Sequence, residues 1–441
     1  MKKFLFITYY FPPAGGPSVQ RIIRIIQHMT GNGWEPVVLT VKNGDYTSLD
    51  SSLEKVIPSQ VKIIRTEIFE PYNFYRAFLG KKKDEKIPLA VLSANKKAGW
   101  REKIANFIRA NFFIPDGRIG WYGIGVRAGI RAIKDNPDIA IILSSGPPHT
   151  VHLIARKIAQ KTGLPFVADF RDPWVNIEYY SDIKRSALTV AADRWLEGKV
   201  LRSADATVAV SPGCVDLLIQ GRKNLDRRRF HVIYNGFDPD AFPAKIPNPP
   251  RDTFVITYIG NLPYSRLTPV FYQAVANLKS SGKIAPGSFQ IRFYGNIDST
   301  ARQALSAFQI DDILAMHNFI PHQQAIEKIC QSHLLLLVIN NSATRKAIVT
   351  GKLFEYLASQ RYILAVGPTD GDAAHILNDT GVGSMFDYDD LPGIQNFLFS
   401  QYRHWQAGQW QPSHTDRIGA YLRAEQLKQL EAIFQNLTGS S

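Results

Sequence analysis

Asp169, Arg171 and Asp172, in the run Asp169-Phe-Arg-Asp-Pro-Trp174, put two carboxylates around one guanidinium. The run follows Phe166–Phe170, whose apolar composition reads as a buried strand. In an open parallel sheet, ligands sit outside the carboxyl ends of the strands. A carboxylate there can accept or orient the proton of an incoming hydroxyl, and an Asp–Arg pair can equally pin a loop. Asp172, Asp169 and Arg171 are therefore the candidate catalytic residues. Upstream, Ser144-Ser145-Gly146-Pro147-Pro148-His149 ends a second such strand. His149 and His152 lack the further ligands a metal site needs. His152 reads as a capping or packing residue, and His149 either packs or faces a substrate.

The second half carries residues suited to phosphate. Gly260-Asn261-Leu262 follows the apolar run Phe254–Ile259, and Arg266 comes shortly after. A small turn followed by a cation suits an anion, although a surface Arg is the plainer reading of Arg266. Thr350-Gly351-Lys352 opens a helix: Thr350 serves as N-cap, Gly351 permits close approach, and Lys352 adds charge beside free backbone N–H groups. Glu355 is either a first-turn carboxylate favoured by the helix dipole or a ligand. Near the start, Gly15 and Gly16 sit in Phe11-Pro-Pro-Ala-Gly-Gly-Pro17 between a strand and a helix that carries Arg21. This is either a phosphate-approaching turn or an ordinary tight one. It is not GxGxxG, so a nicotinamide or flavin dinucleotide is poorly supported. Asp370-Gly371-Asp372 has the DxD spacing of metal-dependent sugar transferases, but Asp is a common residue of such Gly-rich turns. No metal and no resident cofactor are expected.

These residues need a scaffold of alternating strands and helices. Short β-branched and aromatic runs (Lys3–Tyr10, Pro36–Thr40, Val61–Thr66, Ile139–Ser144, Phe166–Phe170, Ala206–Val210, His231–Tyr234) alternate with amphipathic stretches such as Ser18–Met29, Thr150–Gln160 and Leu188–Leu201. That is the pattern of parallel α/β sheets. A proline-rich stretch around residues 244–252 interrupts it and reads as a linker. The alternation then resumes with Phe254–Ile259, Gln290–Tyr294, Leu334–Ile339 and Tyr362–Val366, and a helix is expected over Ile418–Leu437. The expected domains are 1–243 and 253–412, both doubly wound, with a cleft between them and a C-terminal helix over 413–441 returning to the first.

At 441 residues, 45% hydrophobic and 20% charged, the chain has globular proportions, which excludes disordered, collagenous and coiled-coil classes. Two cysteines cannot build a disulfide framework or a structural zinc site. No apolar run approaches the length of a membrane span. The net charge of +14 is uneven, with residues 1–243 holding 36 Lys/Arg against 23 Asp/Glu. Ten of those cations fall within 76–109, in a basic and aromatic segment, 72–114, suited to a bilayer interface.

The order of these pieces resembles the family 4 (group 1) retaining glycosyltransferases. It is carried by FPPAGGP, DFRDPW, VSPG (Val210–Gly213), VIYNGFDPDAF (Val232–Phe242), YIGNL (Tyr258–Leu262), IRFYGN (Ile291–Asn296) and GKLFEYLASQRYILAV (Gly351–Val366), in sequence over most of the chain. The resemblance implies two facing Rossmann-like domains, the GT-B fold. It also implies a nucleotide-diphosphate sugar as donor, held by Gly16, Gly260, Asn261, Arg266, Gly351, Lys352 and Glu355. Gly15, Arg21 and His149 fall on the acceptor side. Glu355 matches the later member of the family's Glu pair, which holds the ribose. Ala347 stands where the earlier member contacts the donor sugar, and Arg171 stands where many relatives have a catalytic His. The implied partners are a nucleotide sugar, a lipid-linked glycan acceptor of bacterial surface polysaccharide synthesis and an anionic membrane surface, at the cytoplasmic face. Two other classes fit the sequence. Ala347 motivates a scaffold that binds glycan or lipid without turnover, and the charge motivates a nucleic-acid-binding protein. The latter has no RNA- or DNA-binding motif, so no nucleic-acid partner is expected.

Overall fold

The computed structural model describes residues 2–46, 48–70, 107, 110–177 and 185–439. The chain forms two compact units, Met1–Ile233 with Leu427–Ser441, and Tyr234–Gln426. In the first, seven parallel strands form one sheet: β1 (Lys2–Thr8), β2 (Trp34–Val41), β3 (Lys62–Thr66), β4 (Ile139–Gly146), β5 (Phe166–Phe170), β6 (Ala206–Ala209) and β7 (Phe230–Val232). Helices α1 (Pro17–Gly31), α2 (Tyr122–Asp135), α3 (Thr150–Thr162), α4 (Ala187–Ser203) and α5 (Pro212–Ile219) connect or flank them. Phe4, Leu5, Phe6 and Ile7 are all fully buried, as expected for a central strand covered on both faces.

The strand order is β3-β2-β1-β4-β5-β6-β7. The chain builds outward from β1 on one side and then returns to lay β4 against its other side. That reversal opens a crevice beyond the ends of β1 and β4, where Thr8 is paired with Ser145. The loops leaving these two strands are Phe11–Pro17 and Gly146–His149, so the topology itself brings both sequence motifs to one place.

The second unit repeats the device with six parallel strands: β8 (Phe254–Ile259), β9 (Phe289–Tyr294), β10 (Leu314–His317), β11 (Leu334–Val338), β12 (Tyr362–Val366) and β13 (Gly383–Phe386). Its helices are α6 (Pro269–Ser280), α7 (Ser299–Ser306), α8 (His322–Cys330), α9 (Gly351–Ala358), α10 (Asp372–Thr380) and α11 (Leu391–Gln406). The order β10-β9-β8-β11-β12-β13 reverses between β8 and β11. Gly260 and Asn340 therefore leave neighbouring strands at the crevice.

Two short strands were not expected, and the expected C-terminal helix is shorter than its pattern. Strands β10 and β13 are four residues each, and β13 begins with Gly, so neither gives a strong strand pattern. Residues 244–252 lie within the second unit, where the buried Arg361 guanidinium donates to the Pro247 carbonyl. The helix expected over 418–437 starts only at Arg423, as α12 (Arg423–Leu437). The residues before it, Asp416–Tyr421, wind as a 3-10 helix, and Phe237 then pairs with the chain by donating to Tyr421 O at 3.2 Å and accepting from Arg423 N–H at 2.9 Å. That bridge breaks the continuous helix. Farther along α12, Phe434 packs against Phe4 and Trp34 of the first unit, at ring distances of 5.3 and 5.1 Å. The basic segment 72–114 lies mostly outside the described residues.

Candidate functional site

At the crevice of the first unit, the expected residues divide by how their charges are matched. Gly16, at the start of α1, has φ of 103°, a backbone state that glycine adopts freely. Gly15 lies so close to the 48–50 loop that a Cβ would come within 3.1 Å of Ser48 Oγ. Both glycines thus have local reasons to be glycine. One turn further, Arg21 points inward and donates to Asp169, Nη2 to Oδ1 at 2.8 Å and Nε to Oδ2 at 3.3 Å. Ser145 Oγ adds a third bond to Asp169 at 2.7 Å. Both charges are buried, so this pair ties α1 to β5.

Arg171 fastens the loop after β5 to the loop after β4. Its Nε donates to Gly146 O at 3.1 Å, its Nη2 to Pro147 O, and its backbone N–H to Gly146 O at 3.0 Å. Trp174 is held from α4, its Nε1 donating to Asp193 Oδ1 at 2.7 Å, while Glu197 accepts from the Val175 N–H at 3.2 Å. Those two acids are themselves matched by Arg185 and Arg222. Asp172 is different. Solvent reaches its side chain directly, and no described residue hydrogen-bonds it. The surrounding protein is nevertheless dense enough that dehydration raises its carboxyl pKa, against the opposing pull of Arg171.

His149 lies flat on Trp174, ring centres 4.8 Å apart and planes 3° from parallel, with 2% of its surface exposed. Burial, then His152 and Arg171, hold its pKa well below the usual histidine range, so the ring is neutral. Among the described residues neither of its nitrogens has a partner, nor has Arg171 Nη1. His152 is a packing residue, stacked on Phe170 at 4.3 Å with Nδ1 at 2.7 Å from Ser144 Oγ.

The crevice of the second unit is cationic. Gly260 has φ of 113°, and a Cβ there would lie 3.1 Å from Lys352 Nζ, so glycine makes room for that ammonium. Lys352, in the first turn of α9, holds Nζ 4.1 Å from the centre of the Tyr258 ring. Burial and then Arg266 push its pKa down to about 7, with Glu355 opposing. Arg266 is steadied by Asn340, Nε to Oδ1 at 2.8 Å, across the two strands where the order reverses. Thr350 Oγ1, at the head of α9, is buried and has no hydrogen-bond partner among the described residues, so the expected side-chain cap is not made. Gly351 and Asn261 are exposed. Glu355 accepts from His322 Nε2 at 2.9 Å, and that contact is the main cause of the raised His322 pKa. Asp370 pairs with Lys346 at 2.5 Å, and among the described residues no group of three or more His, Cys, Asp or Glu is placed to hold a metal.

Sequence reasoning missed Tyr258, Asn340 and His322, which respectively underlie Lys352, steady Arg266 and bond Glu355. Tyr258 had a signal, since it shares its strand end with Gly260. Asn340 and His322 had none, because only the strand order brings them near their partners.

Residues 85–241 match the family model described as Glycosyltransferase Family 4. The whole chain aligns with three solved structures of low identity. A glycosyltransferase from Rickettsia africae is 13% identical with a TM-score of 0.63, covering 100% of this chain and 99% of that one. Sucrose-phosphate synthase from Thermosynechococcus elongatus is 12% identical with a TM-score of 0.64, covering 100% of both chains. HepE from Anabaena, in complex with UDP-glucose, is 13% identical with a TM-score of 0.58, covering 100% of this chain and 99% of that one. No curated protein matches. The chain has the GT-B fold, and its residues 85–241 are similar to Glycosyltransferase Family 4.

In this fold the two candidate aspartates differ in a way that stability can read. Arg21→Met leaves Asp169 buried beside apolar neighbours and should cost about 3–5 kcal/mol, measured by urea unfolding. Asp172→Asn, at an exposed side chain, should shift stability by no more than about 0.5 kcal/mol.

Proposed function

We propose that the enzyme moves a sugar, with retention of configuration, from a nucleotide-diphosphate sugar to a hydroxyl of a lipid-linked glycan. The observation that carries this reading is the pair of cations Lys352 and Arg266 beside Gly260 and the head of α9, with Glu355 one turn along the helix. A departing nucleoside diphosphate gains negative charge as the glycosyl bond breaks. Preformed positive charge in a partly dehydrated site stabilises it most at that moment. Arg266, Lys352 and the free N–H groups of α9 supply such charge, Gly351 leaves the approach open, and Glu355 accepts the ribose hydroxyls. The sugar passes through an oxocarbenium-like state, as in glycoside hydrolysis. Asp172, with no ion-pair partner among the described residues, takes or orients the proton of the acceptor hydroxyl, while Arg171 and Trp174 keep its loop in place. Asp169 and Arg21 act through the position of α1, and His149 offers unspent hydrogen-bonding nitrogens on the acceptor side. HepE binds UDP-glucose, so UDP-sugars are the first donors to screen. No helix among the described residues is long and apolar enough to cross a membrane. A lipid-linked acceptor and the cationic first half together favour peripheral attachment at the cytoplasmic face.

Glu355→Ala should weaken nucleotide binding by about 1.5–3 kcal/mol, the worth of a hydrogen bond to a charged group, in a calorimetric titration. Unchanged affinity would take Glu355 out of the donor site. Asp172→Asn should cut transfer while leaving donor affinity intact. Normal turnover of that variant would return the Asp169–Trp174 loop to a purely structural role.

A pH dependence follows from Lys352. Its free-state pKa is about 7, and a bound diphosphate raises it, so binding above pH 7 takes up a proton. Affinity for a nucleotide sugar, whose diphosphate stays fully ionised throughout, should fall about tenfold from pH 6 to pH 8. Lys352→Arg should flatten the profile. A flat profile in the parent enzyme would place Lys352 away from the diphosphate.

A further inference from the structure

Helix α4 buries Val200 and Leu201 in the core, yet its charges and two of its large apolar side chains are placed against the usual rule. Its only carboxylates, Asp193 and Glu197, are 0% and 2% exposed, whereas Leu188 and Trp195 are 83% and 55% exposed. An ordinary surface helix does the reverse, turning its apolar stripe to the core and its charges to water. The two acids face inward because they hold the Trp174 indole and the Val175 N–H. That duty accounts for the inner face and leaves the outer one unexplained.

The outer face carries Leu188, Ala191, Arg194, Trp195 and Arg202, which recur at helical spacing. Lys199 joins them, its Nζ 3.6 Å from the centre of the Trp195 ring. With both acids turned inward, this face is apolar and cationic with no negative charge of its own. Phe112 extends it. The Asn111 side chain accepts from the Ser186 N–H at 2.6 Å and from Thr189 Oγ1 at 3.0 Å, which ties the neighbouring turn to the start of α4. Phe112 itself is 72% exposed.

We propose that this face of α4 docks on the interface of an anionic bilayer. The inference rests on the peripheral attachment proposed above and assigns it a described surface, α4 with Phe112 of the basic segment. Leu188, Trp195 and Phe112 enter the headgroup layer, where an indole has both an apolar and a polar neighbour. Arg194, Lys199 and Arg202 reach lipid phosphates while their stems lie along the apolar stripe. Charge complementarity favours lipid over a generic protein partner. Three cations with no carboxylate of the helix beside them among the described residues would repel most basic surfaces and match a negatively charged leaflet, in a half-chain that already carries excess positive charge.

The test is co-sedimentation of the full chain with vesicles of phosphatidylglycerol and phosphatidylcholine, and with phosphatidylcholine alone. The two variants are L188E/W195E and K199E/R202E, with thermal unfolding and donor hydrolysis as checks on the fold. The parent protein should partition onto anionic vesicles only and be released by high salt. Each variant should lose about tenfold or more in partitioning with its unfolding midpoint unchanged. Parent and variants binding equally would overturn the α4 assignment and leave membrane attachment standing through another surface. No binding by the parent would overturn the attachment itself. Equal parent binding to neutral vesicles would overturn the electrostatic half of the proposal. A parent dimer without vesicle binding, lost in L188E/W195E, would assign the face to a second copy of this chain instead.

Discussion

A charge taken out of water must be matched, and that requirement sorts the residues of both crevices. In the first unit three buried carboxylates near the crevice loops each have a guanidinium: Asp169 has Arg21, Asp193 has Arg185, and Glu197 has Arg222. Breaking such a pair strands a buried charge, so these pairs act as fasteners. They position α1, the loop around Trp174 and α4, and they leave Asp172 as the carboxylate of its motif outside any such pair. In the second unit the imbalance has the other sign. Lys352 and Arg266 share one dehydrated corner, and the Glu355 carboxylate that offsets them also bonds His322. An excess of positive charge next to a glycine turn is a site waiting for an anion.

The same rule explains why α4 looks wrong as a surface helix. Its acids were drawn inward to fasten the loop below, so its remaining residues set the character of the surface without them. A helix that fastens the Trp174 loop on one face therefore presents an apolar and cationic stripe on the other. One sequence feature does two jobs only because the helix has two faces and a fixed period.

Much of this was legible in the sequence, and the reasons differ by residue. The central strands were readable because strands buried on both faces are continuous apolar runs. The glycine turns and the head of α9 were readable because strand-to-helix junctions in parallel sheets have a recognisable composition. The DFRDPW motif announced itself as functional, but its spacing could not say which aspartate was engaged. That answer depends on Arg21, 148 positions away, reaching across from α1. Likewise nothing local marks His322 as a neighbour of Glu355, or Asn340 as the support of Arg266. Short strands such as Leu314–His317 escaped because their place is set by the sheet around them and not by their own pattern.

The unbalanced charge of the second crevice has a thermodynamic consequence for the fold. Lys352 titrates near 7 in the native state and near 10.5 in an unfolded chain, so between those values the unfolded state binds more protons. Native stability therefore rises with pH through that window, and at neutral pH the site costs the fold some stability, less than a fully buried lysine would because solvent still reaches part of the side chain. A diphosphate relieves this, since it supplies the missing negative charge and returns Lys352 toward its ordinary pKa. Under the proposed donor role, binding and stability are linked through one ammonium, because a bound diphosphate would remove the electrostatic strain that the two cations place on the fold.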